Sequence, residues 1–319
     1  MIENFFYESG SSDLTILTGP DRAKTINNLC TNDLLKAASG ACLEAFVTNP
    51  QGKVLGFVEA MVFDDLIVIL SNKGGQCDCL PHFQKYAIFD QTEISFAADQ
   101  FFSLMIHGPS AISALAEMTG EQIEMKSGTC RKLQSDAGEL FIKPGFLAGS
   151  IEIITNSDMI AEIRNALSLH GISALSSEAF HAHRIRSGGP LSGVDTATDN
   201  LPQEIDRDHS AISFRKGCYL GQETVARLDA LGHVNRKLMG VLLKPIENSD
   251  FKNNSLPIAL HNESGQPVGE IRSLACESHS GLCVGLAMVR LKALEDKIVA
   301  VGFERCEIQF QSLEEFRKG

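Results

Sequence analysis

The feature that most constrains the fold is an internal echo. Thr15-Ile16-Leu17-Thr18-Gly19-Pro20 and Leu104-Met105-Ile106-His107-Gly108-Pro109 both read as strand, Gly-Pro, helix. A duplication would divide about the first 240 residues into two related α+β lobes. Chance recurrence is the alternative, because strand–Gly-Pro–helix is a common connection. Pro20 is read as the first residue of a helix carrying Ile26, Leu29 and Cys30. Pro109 opens one carrying Ile112 and Leu115 and stopped by Gly120. Asn156 or Ser157 caps a third, with Ile160, Ile163 and Leu167 on one face and Gly171 at its end. Between the two echoes, residues 41–48, 53–63 and 66–71 read as strands. Asn49-Pro50-Gln51-Gly52 and Asp64-Asp65 supply tight turns, so the three form an antiparallel meander. From Leu238 onward short strands and turns replace helical periodicity until about residue 291, which reads as a small all-β domain. The expected division is residues 1–237 and 238–319.

Several function classes are disfavoured at once. The 319 residues carry a net charge of −12, which repels polyanions and argues against general nucleic-acid or anionic-membrane binding. Apolar runs such as Leu66 to Leu70 and Leu282 to Val289 fall short of the roughly 18 residues that span a bilayer. The opening Met-Ile-Glu-Asn lacks the pattern of a signal peptide. Nine cysteines at no framework spacing read as reduced thiols, and the expected location is the cytoplasm. Cys77-Asp78-Cys79 is a weak metal signal without a second pair. His181 and His183 have no ligand partner at telling spacing, so both features read as helix packing or helix surface and no metal is expected.

Chemistry concentrates in residues 184–237, which hold eight cations (Arg184, Arg186, Arg207, Arg215, Lys216, Arg227, Arg236 and Lys237) against seven acids. An anionic small molecule finds its best local reception here, with a solvated mixed-charge surface as the bland alternative. Within this segment runs Arg215-Lys216-Gly217-Cys218-Tyr219-Leu220-Gly221-Gln222-Glu223. Two neighbouring cations and a helix start near Gln222 both favour a thiolate at Cys218, and the flanking glycines permit close approach. The competing reading of any cysteine is a small buried hydrophobe.

The run from Lys216 to Glu223 resembles the K-G-C-Y/F-x-G-Q-E signature of the YgfZ family, folate-binding relatives of the glycine-cleavage T protein. Arg184-Ile185 with Gly188-Gly189-Pro190, Asp195, Asp199 and Leu201-Pro202-Gln203-Glu204 resembles a second family run. So do Leu17 to Asp33 near the N-terminus, and Gly269-Glu270-Ile271-Arg272-Ser273 with Gly285-Leu286-Ala287 near the C-terminus. The resemblance implies an α+β clover leaf: two intertwined ferredoxin-like lobes and a C-terminal β-barrel around a central folate cavity. It implies tetrahydrofolate, or a derivative, as cofactor. It also implies a role in making or repairing iron–sulfur clusters, with partners among cluster-assembly proteins or iron–sulfur clients, including enzymes that thiomethylate tRNA. Cys218 is then the reactive thiol, with Lys216 beside it. Arg184 receives the folate carboxylates, and Asn72 and Glu152 flank the pterin. Gln222, Glu223 and Arg227 are further candidate cofactor contacts.

Two departures bear on the alternative, a folate-dependent aminomethyltransferase. The T protein's carboxylate position falls on Gly56, within Gly52-Lys53-Val54-Leu55-Gly56-Phe57, so the acid/base group is missing. Asp64 and Asp65 lie at the next turn, where Asp is ordinary turn chemistry. The T protein also carries an aromatic-acidic residue where this chain has Cys218-Tyr219, and both departures point away from the transferase. Separately, Arg186 stands where the family usually has an acid, which bears on the charge of the cavity. The expectation is a folate-binding helper rather than a conventional enzyme.

Overall fold

The computed structural model describes residues 3–71, 79–245, 255–276, 281–295, 298–300 and 306–318. Its strands are β1 (Phe5–Thr18), β2 (Cys42–Thr48), β3 (Val54–Val62), β4 (Leu66–Ser71), β5 (Glu93–His107), β6 (Arg131–Ser135), β7 (Gly138–Pro144), β8 (Ser150–Thr155) and β9 (Ser173–Ala174) in the first sheet. A second sheet holds β10 (Arg236–Pro245), β11 (Ile258–Asn262), β12 (Pro267–Cys276), β13 (Cys283–Arg290), β14 (Ile298–Ala300) and β15 (Cys306–Gln311). The helices are α1 (Arg22–Asn27), α2 (Cys79–Tyr86), α3 (Pro109–Thr119), α4 (Ser157–Leu169), α5 (Ser177–Arg186), α6 (Asp208–Ala211), α7 (Gln222–Leu231) and α8 (Leu313–Phe316). None is long and apolar enough to cross a membrane.

The first sheet runs β2-β3-β4-β1-β5-β8-β7-β6, with β9 beside β1. Each half has the order strand, helix, three strands, helix, and the halves meet at the long antiparallel pair β1–β5. The echo in the sequence therefore marks equivalent places in two lobes. Gly19 and Gly108 both take φ of +92°. A Cβ on Gly19 would strike the carbonyl of Gln91, just before β5, and one on Gly108 would strike that of Glu3, just before β1. The same steric need recurs at both ends of the central pair, which is why glycine recurs.

Helix starts follow local chemistry. Pro109 begins α3, and Gly120 ends it in a left-handed conformation. Asn156 caps α4 by accepting from the Met159 N–H at 2.9 Å. The start expected at Pro20 is corrected: α1 begins at Arg22, after a turn in which Gly19 holds the Arg22 N–H. The meander appears as β2–β3–β4, close to the expected bounds. In the second lobe α3 and α4 bury Ala111, Leu115, Ile160 and Ile163 against Leu104, Ile142 and Ile153. In the first, Ile26 and Phe83 pack on Leu17, Val47 and Ile67.

The second sheet, β14-β11-β12-β13-β10-β15, curls around Val241, Leu260, Ile271 and Ala287. It docks on the lobes through Leu238, Leu286 and Met288, which share a core with Phe46, Phe57, Ile185 and Tyr219. Leu313 and Phe316 of α8 seal that core. The expectation of uniformly reduced cysteines is corrected here. Cys276 and Cys283 are directly opposed across β12–β13, with Cα atoms 4.0 Å apart, and form a disulfide.

Candidate functional site

The K-G-C-Y-L-G-Q-E segment is nailed to the first lobe. Lys216 is buried, and its ammonium donates to the carbonyls of Asn27 (2.6 Å), Cys30 (2.7 Å) and Asn32 (2.6 Å). A lysine has three N–H donors, and all three are spent on that loop. Its ammonium also lies 4.9 Å from the centre of the buried Tyr219 ring, and burial lowers its pKa. Leu220 donates to Asn28 O, while Thr48 donates to Leu220 O at 2.7 Å. Gly221, at φ +84°, caps α7, which starts at Gln222 as expected. A Cβ there would run into the Asn49 carbonyl and lie 2.7 Å from Gly52 Cα. Gly221→Ala is therefore expected to cost about 2–3 kcal/mol, from left-handed strain plus the backbone clash, read as a lower urea midpoint. A change below 0.5 kcal/mol, roughly that of an ordinary surface substitution, would refute the close packing.

Between these anchors Cys218 is exposed, as are Arg215 and Gly217, and Phe214 is 46% exposed. Lys216 thus acts in this structure as a clamp that presents the thiol. Glu223 and Arg227 are exposed on α7, and Gln222 is half-buried at its start. None of these motif residues lines the central cavity.

That cavity is made by the curl of the first sheet. From β3 to β7 the sheet path crosses five strand spacings, about 24 Å along the surface. Yet Lys143 on β7 reaches Glu59 on β3 at 2.9 Å. The sheet edges also meet: Ala41 bridges to Thr129, Cys42 donates to Gly128 O, and Cys130 donates to Gly40 O. The enclosed space has a volume of about 790 Å³, within the range of small-molecule sites.

One cluster in its wall is Lys143, 3% exposed, held between Glu59 and Glu152, the latter at 2.7 Å. Burial opposes the Lys143 charge, but Glu152 and Glu59 together raise its pKa well above the usual lysine range. Burial pushes Glu152 the other way, and the Lys143 ammonium overrides it, so this carboxyl is held below its usual range. Ser103 closes the set with a short hydrogen bond to Glu152. Glu44 lies directly opposite Glu59 across β2–β3, and like charges at such a pair repel. Arg207 and Ser210 neutralise it by bonding both of its oxygens. Tyr7, Phe57, Phe146 and Phe180 supply apolar wall.

A second, cationic cluster comes from α5 and the C-terminal segment. Arg184 is 5% exposed and donates to Gly189 O (2.6 Å), Asp195 (2.8 Å) and Ser273 (2.9 Å). Its Nε lines up with no acceptor among the described residues, although the side chain borders the cavity. Arg317, His181 and His209 border it too. Burial lowers the pKa of His181, as does Arg184 beside it. His183 instead stacks on Phe5, away from the cavity wall.

The expected residues therefore split. Arg184 and Glu152 meet in the cavity, and Cys218, Lys216, Gln222, Glu223 and Arg227 stand outside it. Asn72 and Cys77 lie outside the described residues, though Ser71 borders the cavity. Gly56 is buried in β3 opposite Val47. Glu59, Lys143 and Glu44 were not singled out from sequence, and Arg207 was named only among the cations of residues 184–237. The available signal was Glu59 as the one charge of β3, and Lys143 at the end of the apolar run Leu140-Phe141-Ile142 in β7.

Residues 11–214 match the GCVT N-terminal domain family, which is well over half of the chain. The chain belongs to the GCVT N-terminal domain family. Its relatives include the tRNA-modifying protein YgfZ of Colwellia psychrerythraea, 24% identical over 310 residues, covering 93% of this chain and 91% of that one. The YgfZ of Aliivibrio fischeri is 26% identical over 244 residues, covering 74% and 71%. These matches bear out a YgfZ-type member of the GCVT family. The fold is that of the glycine cleavage system aminomethyltransferase T from Bartonella henselae. The two superpose with a TM-score of 0.74 over 95% of this chain and 87% of that one, at 17% identity.

Proposed function

We propose that this GCVT-family protein binds a reduced folate in the curled-sheet cavity. In this reading it supports assembly or repair of iron–sulfur clusters in client enzymes of the cytoplasm, tRNA-modifying ones among them. The carrying observation is that one cavity joins a carboxylate pair fixed by a lysine to a cationic cluster with an orphaned buried donor. A folate is built the same way, with a donor-rich pteridine edge at one end and carboxylates at the other. Glu59 and Glu152 would hold the first, and Arg184 Nε with Arg317 the second. The bound folate would supply one-carbon chemistry. The chain's own residues bind and orient it, and the curled sheet excludes water. The printed name of the relatives supports the link to tRNA modification. Cys218, presented on its anchored loop, is the thiol required by clients.

Titration calorimetry with 5-formyltetrahydrofolate tests the binding. Saturable heat with one site per chain is expected, and no heat at millimolar ligand would overturn the reading. Aminomethyltransferase turnover is not expected, because Gly56 carries no side chain to offer an acid. Turnover of an aminomethylated carrier protein by purified chain at ordinary enzymatic rates would contradict that.

A further inference from the structure

The three carboxylates that line the cavity among the described residues differ in how fully the protein has occupied them. Glu44 receives Arg207 on both oxygens and Ser210 on one. Glu152 receives Lys143 on one oxygen and Ser103 on the other. Glu59 receives Lys143 on Oε2 only, and its Oε1 has no donor among the described residues. Lys143 itself has nothing left to offer a ligand. Two of its donors go to the carboxylates, and the third points to the Pro144 carbonyl at 3.5 Å. The Lys143 cluster carries one cation against two anions, so one unit of negative charge remains beside a vacant acceptor.

That vacancy has a counterpart in the same cavity. Arg184 is nine-tenths buried, and its Nε is a donor with no acceptor. A buried donor left unpaired is costly, so a ligand acceptor is called for there. Phe57 stands two residues from Glu59 on the same face of β3 and also borders the cavity. Its ring adds apolar wall to the same cavity.

We propose that Glu59, through Oε1, is the specificity-determining acceptor for the heterocycle, selecting a 2-amino-4-oxo ring whose N–H and NH₂ donors lie side by side. The inference rests on the folate reading and deepens it. Lys143 acts as a positioning residue that fixes Glu59 and Glu152, and Glu152, already filled by Lys143 and Ser103, is the lesser contact.

The test is calorimetry of the wild type, Glu59→Gln and Glu152→Gln with two probes: 5-formyltetrahydrofolate, and its 2-desamino-2-methyl analogue, which lacks the exocyclic donors. The amide still accepts from Lys143, and matched thermal midpoints verify that each variant is folded. Glu59→Gln is expected to weaken the natural folate roughly 10- to 100-fold, as for loss of a charge-assisted hydrogen bond. It should cost the analogue, which keeps only the ring N–H, clearly less than it costs the natural folate. Glu152→Gln should cost the natural folate less than Glu59→Gln. Equal folate binding by wild type and Glu59→Gln, or a larger loss in Glu152→Gln, overturns the assignment of Glu59 while the folate reading stands. Failure of the wild type to bind 5-formyltetrahydrofolate removes both.

Discussion

Asp195→Ala is expected to destabilise the chain by about 3–5 kcal/mol, among the larger losses a single substitution produces. Asp195 is 0% exposed and accepts from Arg184 (2.8 Å), from Ser273 of the second sheet (2.6 Å) and from the Leu191 N–H (2.8 Å). Its own carbonyl receives Arg272 at 3.0 Å, and the same guanidinium reaches Asn200 at 2.9 Å. Removing the carboxylate leaves the Arg184 cation buried and unpaired, and it cuts a tie between the lobes and the second sheet. Urea unfolding is the measurement, with the midpoint falling and the slope unchanged. Replacing both partners by apolar residues, Arg184→Met with Asp195→Leu, should cost less than the single change, because no uncompensated charge remains. A single-mutant loss below about 1 kcal/mol, the value of an exposed ion pair, would contradict the buried rivet.

Cys218→Ala is expected to abolish support of iron–sulfur enzymes in cells lacking the native gene, with no change in thermal midpoint. The side chain is exposed, so its loss opens no cavity. Exposure also predicts selective alkylation. Cys30, Cys79 and Cys130 are buried; burial pushes the Cys30 thiol up and the Cys130 thiol up to about 11. At neutral pH the Cys30 and Cys130 sulfurs are protonated as well as shielded, and only thiolate reacts. Brief iodoacetamide treatment and peptide mapping should label Cys218 at least about tenfold faster than Cys30 or Cys130. Equal labelling, or full complementation by the alanine variant, would remove the thiol from the account.

How much of this was legible in the sequence depended on the range of the forces involved. The meander at β2–β4 and the cap at Asn156 were readable because turn chemistry and capping act over a few residues. The Gly-Pro echo was visible, but its cause was not, since Gly19 is demanded by Gln91 and Gly108 by Glu3. The motif around Cys218 stood out by composition. That Lys216 faces three carbonyls of a distant loop required the fold. Glu59 and Lys143 escaped notice because they lie on strands far apart in sequence, and only the curl of the sheet makes them a pair. Cys276 and Cys283 gave no signal for the same reason, since their opposition depends on strand register.

The central claim is that the cavity between the lobes is a folate site read by Glu59. A crystal structure of the chain grown with saturating 5-formyltetrahydrofolate tests it most directly. The account predicts density for the pteridine inside the cavity, its amino edge within hydrogen-bond distance of Glu59 Oε1, and the carboxylate tail toward Arg184 Nε. Folate bound elsewhere on the chain, with this cavity empty, would contradict it.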